Sequence, residues 1–138
     1  MIDFNFETDF VLDDAKKHQV WIKDIIIDFG FELGDVSCIF CDDEYLLKIN
    51  QQYLNHDDLT DIISFDYSDN KTISGDIFIS IDRVKENAQQ FKVDFHQELL
   101  RVMSHGILHF MGFKDKNEED QQIMRKNEEI CIQKYINN

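Results

Sequence analysis

The chain of 138 residues has room for one domain and little room for a second. Its hydrophobic fraction of 43% and its 12 phenylalanines predict a packed core and exclude a largely disordered chain. The net charge of −14, without any Lys/Arg-rich block, argues against a broad basic surface for nucleic acid. Because the chain has neither a signal-peptide pattern nor the roughly 20 apolar residues of a membrane helix, we expect a cytoplasmic protein that does not contact membranes.

The first half of the chain alternates strand patterns with helix patterns. Ile2, Phe4 and Phe6 alternate with polar residues, which predicts a strand. Apolar residues at helical spacing follow, and Gly30 marks the end of that helix. The elements predicted in this half are a strand over 2–7, a helix over about 13–29, a strand over 36–41 and a helix from 42 or 43 through 53.

The second half adds two strands and three helices. We predict strands over 62–67 and 73–81 and helices over 82–91, 94–111 and 117–136. The order β-α-β-α-β-β-α-α-α predicts helices packed on a small mixed sheet. We therefore predict a single α+β domain over 1–138, with about four strands and about five helices.

Two of the three cysteines have the spacing of a metal or redox pair. Cys38 and Cys41 lie in the predicted strand over 36–41, where residues three apart point to opposite faces. Both thiols could not readily bind one ion from there. We therefore interpret them, and Cys131 in the last helix, as small buried apolar residues.

Two histidines, His105 and His109, stand four residues apart on the predicted helix over 94–111. This spacing puts both imidazoles on one helix face, within reach of one ion. Gly112 can adopt positive φ after the helix and turn the chain back, which would bring Asp115 towards the pair. Two histidines and one carboxylate are an established ligand set for catalytic zinc. The spacing therefore predicts one Zn²⁺ per chain at His105, His109 and Asp115.

The same spacing occurs in the metzincin proteases, H-E-x-x-H-x-x-G-x-x-H. Those enzymes use the glutamate after the first histidine as a general base, and the corresponding residue here is Gly106. A metalloprotease is therefore an alternative that lacks its base.

The segment from His105 to Asp115, H-G-I-L-H-F-M-G-F-K-D, resembles the H-G-x-L-H-L-x-G-Y-D-H signature of the YbeY family of bacterial rRNA maturation endoribonucleases. The stretch N-Q-Q-Y at 50–53, followed by Asp57 and by T-D-I-I-S-F at 60–65, is similar to the family's N-x-x-Y-R…D-x-P-T-D-V-L-S-F. G-D-I at 75–77 resembles the family's G-D-I strand, and Glu98-Leu99 resembles the acidic segment that the family has before its histidines. The resemblance covers roughly residues 50–116.

The resemblance implies a zinc-dependent, single-strand-specific endoribonuclease of ribosome biogenesis, which processes the 3′ end of 16S rRNA and takes part in ribosome quality control. It implies an rRNA precursor as substrate, and the small ribosomal subunit or a ribosomal protein as partner. Asp115 stands where the family has its third histidine ligand. A carboxylate is an acceptable zinc ligand at that position.

Leu54 replaces a family arginine that the resemblance links to RNA chemistry, so a natural phosphate contact is missing. His56 is close in sequence and could partly substitute in substrate binding, or it could be a solvated loop histidine. Ser64 is a further candidate to contact substrate, if it lines the same cleft as Asp61 and Asp76. The missing arginine and the charge of −14 also favour a second alternative, a non-catalytic zinc-containing ribosome assembly factor.

Glu98 is the best candidate for a catalytic carboxylate. It precedes His105 by seven residues, or two helical turns, and therefore lies on the same face of the predicted helix. The alternative for Glu98 is an ordinary surface acid.

Overall fold

The computed structural model describes residues 1–56 and 58–137, so Asp57 lies outside the described residues. The described part contains four strands and five helices in the predicted order, which confirms the α+β class. These elements are β1 (Ile2–Phe6), α1 (Ala15–Asp28), β2 (Glu32–Cys41), α2 (Asp43–Leu54), β3 (Ile62–Asp66), β4 (Thr72–Ser80), α3 (Ile81–Phe91), α4 (Phe95–Phe110) and α5 (Glu118–Ile136). None of these helices is long and apolar enough to cross a membrane.

The four strands form one mixed sheet in the order β1-β2-β4-β3. β1 pairs with β2 and β2 pairs with β4 in parallel, while β3 is antiparallel to β4. β2 begins at Glu32 and not at Val36 as predicted, because Glu32 and Leu33 pair with the start of β4 ahead of an irregularity in the register. That pairing depends on a distant strand, so the local pattern did not indicate it.

Side chains that start each helix follow the expected capping chemistry. Asp14, Asp42, Ser80, Asp94 and Asn117 precede the five helices, and each side chain accepts a hydrogen bond from a backbone N–H of the first turn. The third helix therefore begins at Ile81, one residue earlier than predicted, and Asp82, the residue expected to open it, lies in its first turn.

The sheet separates a large apolar cluster from a small one. The large cluster joins the sheet to α1, α3, α4 and α5, and it contains Cys38 and Cys131. The small cluster is built around Cys41 and Leu46 on the α2 side. Cys38 and Cys41 thus belong to different clusters, as expected for residues three apart on a strand. Burial raises the pKa of each of these three thiols to about 12, which disfavours the thiolate that binds metal.

Two glycines bring α4 close to the sheet. A Cβ at Gly75 of β4 would lie 2.4 Å from Cζ of Phe110 and 2.5 Å from the carbonyl oxygen of Phe65. A Cβ at Gly106 would lie 2.8 Å from Cδ1 of Ile77. These contacts hold one face of α4 on β4 and leave the face with His105 and His109 directed away from the sheet.

Candidate metal centre

Three side chains converge at the end of α4. Nε2 of His105 lies 3.0 Å from Nε2 of His109 and 3.1 Å from Oδ2 of Asp115, and the distance between His109 Nε2 and that oxygen is 3.4 Å. His105 and His109 are half-buried on α4, and Asp115 lies in the loop that follows. The predicted set is therefore brought together as a group that can hold a metal ion.

The turn at Gly112 is responsible for the position of Asp115. Gly112 has φ +98°, and its N–H donates to the carbonyl of His109, while the N–H of Phe113 donates to the carbonyl of Leu108. This pair of hydrogen bonds is the Schellman motif, which ends a helix and reverses the chain. The glycine that the sequence singles out thus acts as expected.

The spacing of the three atoms suits a zinc ion. Zinc bonds of about 2.0–2.2 Å at tetrahedral angles separate ligand atoms by about 3.3–3.5 Å. The three observed separations, 3.0, 3.1 and 3.4 Å, reach that range or fall short of it by up to about 0.3 Å, a small adjustment of the side chains. The two Nε2 atoms cannot both carry hydrogens at such a distance, so at least one lone pair faces the shared point. The donor set and its geometry therefore fit the predicted ion.

The structure also shows that Asp115 does not cap the helix that follows it. As a helix cap, it would accept a hydrogen bond from the first turn of α5, but Asn117 holds that position and bonds the N–H of Asp120. The main-chain carbonyl of Asp115 instead accepts a hydrogen bond from Nε2 of Gln121. The side chain of Asp115 is thus directed to the two histidines, and Asn117 caps α5.

Glu128 of α5 was missed by the sequence analysis. Its Oε2 lies 2.6 Å from Nδ1 of His105, and the side chain is 6% exposed. A carboxylate on Nδ1 fixes the tautomer in which Nε2 offers its lone pair, an arrangement common behind metal-binding histidines. One signal was available: Glu128 stands four residues after Met124 and three before Cys131, on the buried face of α5.

Arg101 connects Glu128 to a second buried acid. Its guanidinium lies 3.3 Å from Glu128 Oε1, 3.5 Å from Glu98 Oε1 and 3.6 Å from Glu129 Oε2. Glu98 is only 3% exposed, so its interpretation as a surface acid is wrong. Its Oε1 is buried without a hydrogen bond, and the ion pair with Arg101 offsets only part of the cost of burying the carboxylate.

Burial and charge change the protonation of this group. Burial lowers the pKa of His105, but the hydrogen bond to Glu128 and the neighbouring negative charges outweigh burial and raise the pKa above its ordinary value. Burial is also the main reason why the pKa values of Asp61 and Glu98 are raised. Carboxyl groups with raised pKa values beside a metal centre are typical of sites that transfer protons.

A cleft of about 600 Å³ opens beside the metal group, between α3, α4 and α5. His105 and Asp115 line it together with Asp61 and Glu98, so the carboxylate candidate Glu98 faces the same space as the ligands. Ser64, Asp76 and His56, the other residues considered for the cleft or for substrate, do not line it in the described part of the chain. Ser64 and Asp76 lie on β3 and β4, and His56 is exposed in the loop after α2. Their proposed contacts to substrate stay predictions.

The position of Gly106 bears on the protease alternative. It packs against Ile77 and Ile62 of the sheet, and an added Cβ would already be in close contact there. A glutamate at this position would therefore point into the core and not to the ligands. The protease base is absent, and its site is closed by packing.

Comparison with known proteins decides the family. The family described as Endoribonuclease YbeY matches residues 4–136. An Endoribonuclease YbeY from Flavobacterium psychrophilum is 54% identical over 94% of this chain and 92% of its own length. The one from Flavobacterium johnsoniae is 53% identical over 96% of this chain and 95% of its own length. The chain belongs to the endoribonuclease YbeY family.

YbeY relatives extend to lower identity, and the fold agrees with a solved structure. The Endoribonuclease YbeY of Karelsulcia muelleri is 42% identical over 99% of both chains. The solution structure of a protein from Thermotoga maritima has a TM-score of 0.67 and 26% identity, and the match covers 98% of this chain and 89% of that one. The resemblance and the predicted enzyme class, an endoribonuclease that hydrolyses phosphodiester bonds, are thereby confirmed.

Proposed function

We propose that the protein is a zinc-dependent, single-strand-specific endoribonuclease that matures rRNA, including the 3′ end of 16S rRNA, and serves ribosome biogenesis and quality control. The observation that carries the metal dependence is the convergence of His105, His109 and Asp115 within 3.4 Å of one another. The family supplies the RNA substrate. The small ribosomal subunit or a ribosomal protein is the proposed partner, and the cytoplasm is the proposed location.

The three ligands would hold zinc, one ion per chain. A zinc ion held there would supply Lewis acidity, polarising a phosphoryl oxygen and lowering the pKa of water. His105, oriented by the carboxylate of Glu128, presents its Nε2 lone pair, and Asp115 contributes the negative charge that favours a cation.

Proton transfer is assigned to a carboxyl group of the cleft. Glu98 is the proposed residue, because burial raises its pKa against the opposing charge of Arg101, and because its Oε1 accepts no hydrogen bond. Asp61 is the second candidate, since it lines the same cleft and also has a raised pKa, but its Oδ2 already accepts a hydrogen bond from Asn87. Substitution of each by its amide keeps the shape of the side chain and separates the two assignments.

The alternative of a non-catalytic assembly factor requires a closed, structural ion site. A structural zinc site has four protein ligands, whereas a catalytic one leaves a position open. Among the described residues the group has three members. Two further potential ligands close in sequence, His96 and Glu118, do not belong to this group: His96 contacts His18, and Glu118 lines the cleft. This supports the catalytic alternative.

The test combines metal analysis with RNA cleavage. We expect about one zinc per chain, cleavage of single-stranded RNA that stops with a chelator and returns with zinc, and little cleavage of the same RNA in duplex form. Glu98→Gln should retain zinc and cleave about a hundredfold more slowly or worse. His109→Ala should lose both zinc and cleavage.

Two results would contradict the proposal. A protein that holds zinc but leaves single-stranded RNA intact would favour the assembly factor. Cleavage of casein by the metal-loaded protein, with RNA untouched, would favour the protease. Full activity of Glu98→Gln would transfer the proton-transfer role to Asp61, for which Asp61→Asn is the matched variant.

A further inference from the structure

One wall of the cleft beside the metal group is formed by residues that belong neither to that group nor to the proton-transfer candidates Glu98 and Asp61. This wall is formed by Asn87 and Phe91 of α3 and by Gln122 and Arg125 of α5. Each pair stands three or four residues apart on its helix, so each helix presents one face to the cleft. The whole cleft, about 600 Å³, is of the size that takes a small organic ligand.

Phe91 is unusual for a residue of the cleft lining. It is the last residue of α3, it is 53% exposed, and it is not among the side chains packed on either apolar cluster. Exposing an aromatic ring to water is unfavourable in free energy, and a flat ligand that stacks on the ring would remove that exposure. Unpaired nucleic-acid bases stack on such rings in proteins that bind single strands.

Arg125 supplies positive charge to the same cleft. The cleft contains two arginines, and Arg101 is occupied by the carboxylates of Glu98, Glu128 and Glu129. Arg125 is exposed and makes no ion pair with any residue in 1–56 or 58–137. A guanidinium without an ion pair can bind phosphate at one place, even in a chain of net charge −14.

We infer that this wall binds one unpaired nucleotide of the RNA next to the phosphate that is cleaved. The ring of Phe91 stacks on the base, and the guanidinium of Arg125 binds a neighbouring phosphate. The inference rests on the proposed function, because the metal centre defines which phosphate is cleaved. It explains how an acidic chain with Leu54 at the position of the family arginine can bind RNA through a local contact.

The experiment measures tryptophan fluorescence, to which the single native tryptophan, Trp21, should contribute a constant signal. Trp21 is 1% exposed and lies in the core, so RNA should leave its fluorescence unchanged. In Phe91→Trp, a cleavage-resistant single-stranded phosphorothioate RNA should quench the fluorescence of the new indole as a base stacks on it. The same RNA annealed to its complement should not quench, because its bases are paired. All measurements are made on the zinc-loaded full chain.

Affinities for the same RNA then test each contact separately. Phe91→Ala should bind roughly tenfold more weakly, while Phe91→Tyr should bind like the parent. Arg125→Gln should bind about tenfold more weakly and reduce the slope of log affinity against log salt by about 0.7. Lys126→Gln removes an equal charge from the next residue, which does not line this cleft, and should change neither quantity.

The outcomes distinguish this inference from the proposed function. If the parent cleaves and binds RNA, while Phe91→Trp is not quenched and Arg125→Gln binds normally, the nucleotide site is wrong and the endoribonuclease stands. If the parent binds no RNA, both are wrong. Should Phe91→Ala fail to fold by circular dichroism, the quenching of Phe91→Trp decides for or against the stacking contact.

Discussion

At the scale of single residues, the behaviour of the metal centre depends on what each ligand atom is attached to. His105 is held from behind by Glu128 at 2.6 Å, whereas Asp115 depends on the turn at Gly112 and on a hydrogen bond from Gln121. Two substitutions of Asp115, to Asn and to His, test whether its negative charge or its ability to bind a metal ion matters for zinc binding.

Asp115→Asn should weaken zinc binding at least tenfold, because it removes the negative charge and keeps the shape. Asp115→His should retain zinc, because imidazole is also a good ligand. Zinc competition with a coloured chelator measures both. Asn117→Ala is the control: it removes the cap of α5, so it should cost about 1 kcal/mol of stability and leave the zinc affinity unchanged. Parent-like affinity in Asp115→Asn would mean that the third ligand lies elsewhere.

Glu128→Gln should weaken zinc binding by about ten- to hundredfold, because a neutral amide polarises the imidazole of His105 less than a carboxylate does. The matched control is Glu129→Gln, which neutralises the next residue, an acid that is 50% exposed and pairs with the same Arg101. Exposed ion pairs contribute little, so that variant should bind zinc like the parent. Equal effects of the two variants would show that net charge, and not the contact with Nδ1, sets the affinity.

At the scale of the elements, the position of α4 on β4 is the main determinant of the site. Gly75→Ala would force a Cβ to within 2.4 Å of the ring of Phe110 and 2.5 Å of the backbone oxygen of Phe65. Because the backbone cannot move aside as a side chain can, we expect the free energy of unfolding, measured in urea, to fall by about 1–3 kcal/mol. Phe110→Leu should reduce that loss without abolishing it, since the backbone contact remains. An unchanged midpoint in Gly75→Ala would contradict the packing.

The contact between α1 and α4 should make the stability depend on pH. Nε2 of buried His18 lies 3.0 Å from Nε2 of His96. Burial is the main reason that the pKa of His18 falls below its ordinary value, and the charges of His96 and Lys17 lower this pKa further. The hydrogen bond to the backbone of Asp14 and the charge of Asp14 oppose the shift. The ring of Tyr135 packs against the ring of His18. The folded state therefore favours neutral His18. Its contribution is complete above the unfolded pKa of about 6.5 and is lost as pH falls below it.

His18→Asn tests this sign. The variant should be less stable than the parent at pH 7, because a buried ring is lost, and the difference should shrink towards pH 5. Urea unfolding at both values gives the comparison. The carboxyls with raised pKa, Asp61 and Glu98, act in the opposite direction in both proteins and cancel in the difference. A difference that stays constant with pH would contradict the role of His18.

At the scale of the whole molecule, the 28 acidic and 14 basic side chains repel one another on balance. Self-repulsion opposes the compact state, and salt screens it, since the Debye length falls from about 30 Å at 0.01 M to about 10 Å at 0.1 M. We therefore expect the melting temperature to rise by roughly a few degrees over that range of sodium chloride. A falling melting temperature would mean that paired charges, such as those around Arg101, outweigh the repulsion.

The sequence by itself determined most of the local structure and the three members of the candidate metal group. Helix and strand periodicity predicted nine elements in the correct order, because that pattern is repeated within each element. His105 and His109 are one helical turn apart, and Gly112 permits a turn of a few residues to Asp115. The candidate metal group is encoded within the 11 residues from His105 to Asp115, where the positions of the side chains follow from the helix and its end.

Only the tertiary structure decided the order of the strands, the burial of Glu98 and the contact between His105 and Glu128. That contact joins residues 23 apart, and Arg101 reaches the same carboxylate across 27 residues. Such pairs arise when α5 folds back along α4, which depends on the packing of both helices on one core. Periodicity indicates that Glu128 lies on the buried face of its helix, but it does not indicate which side chain lies opposite, because a helix can pack against any neighbour that buries its apolar face.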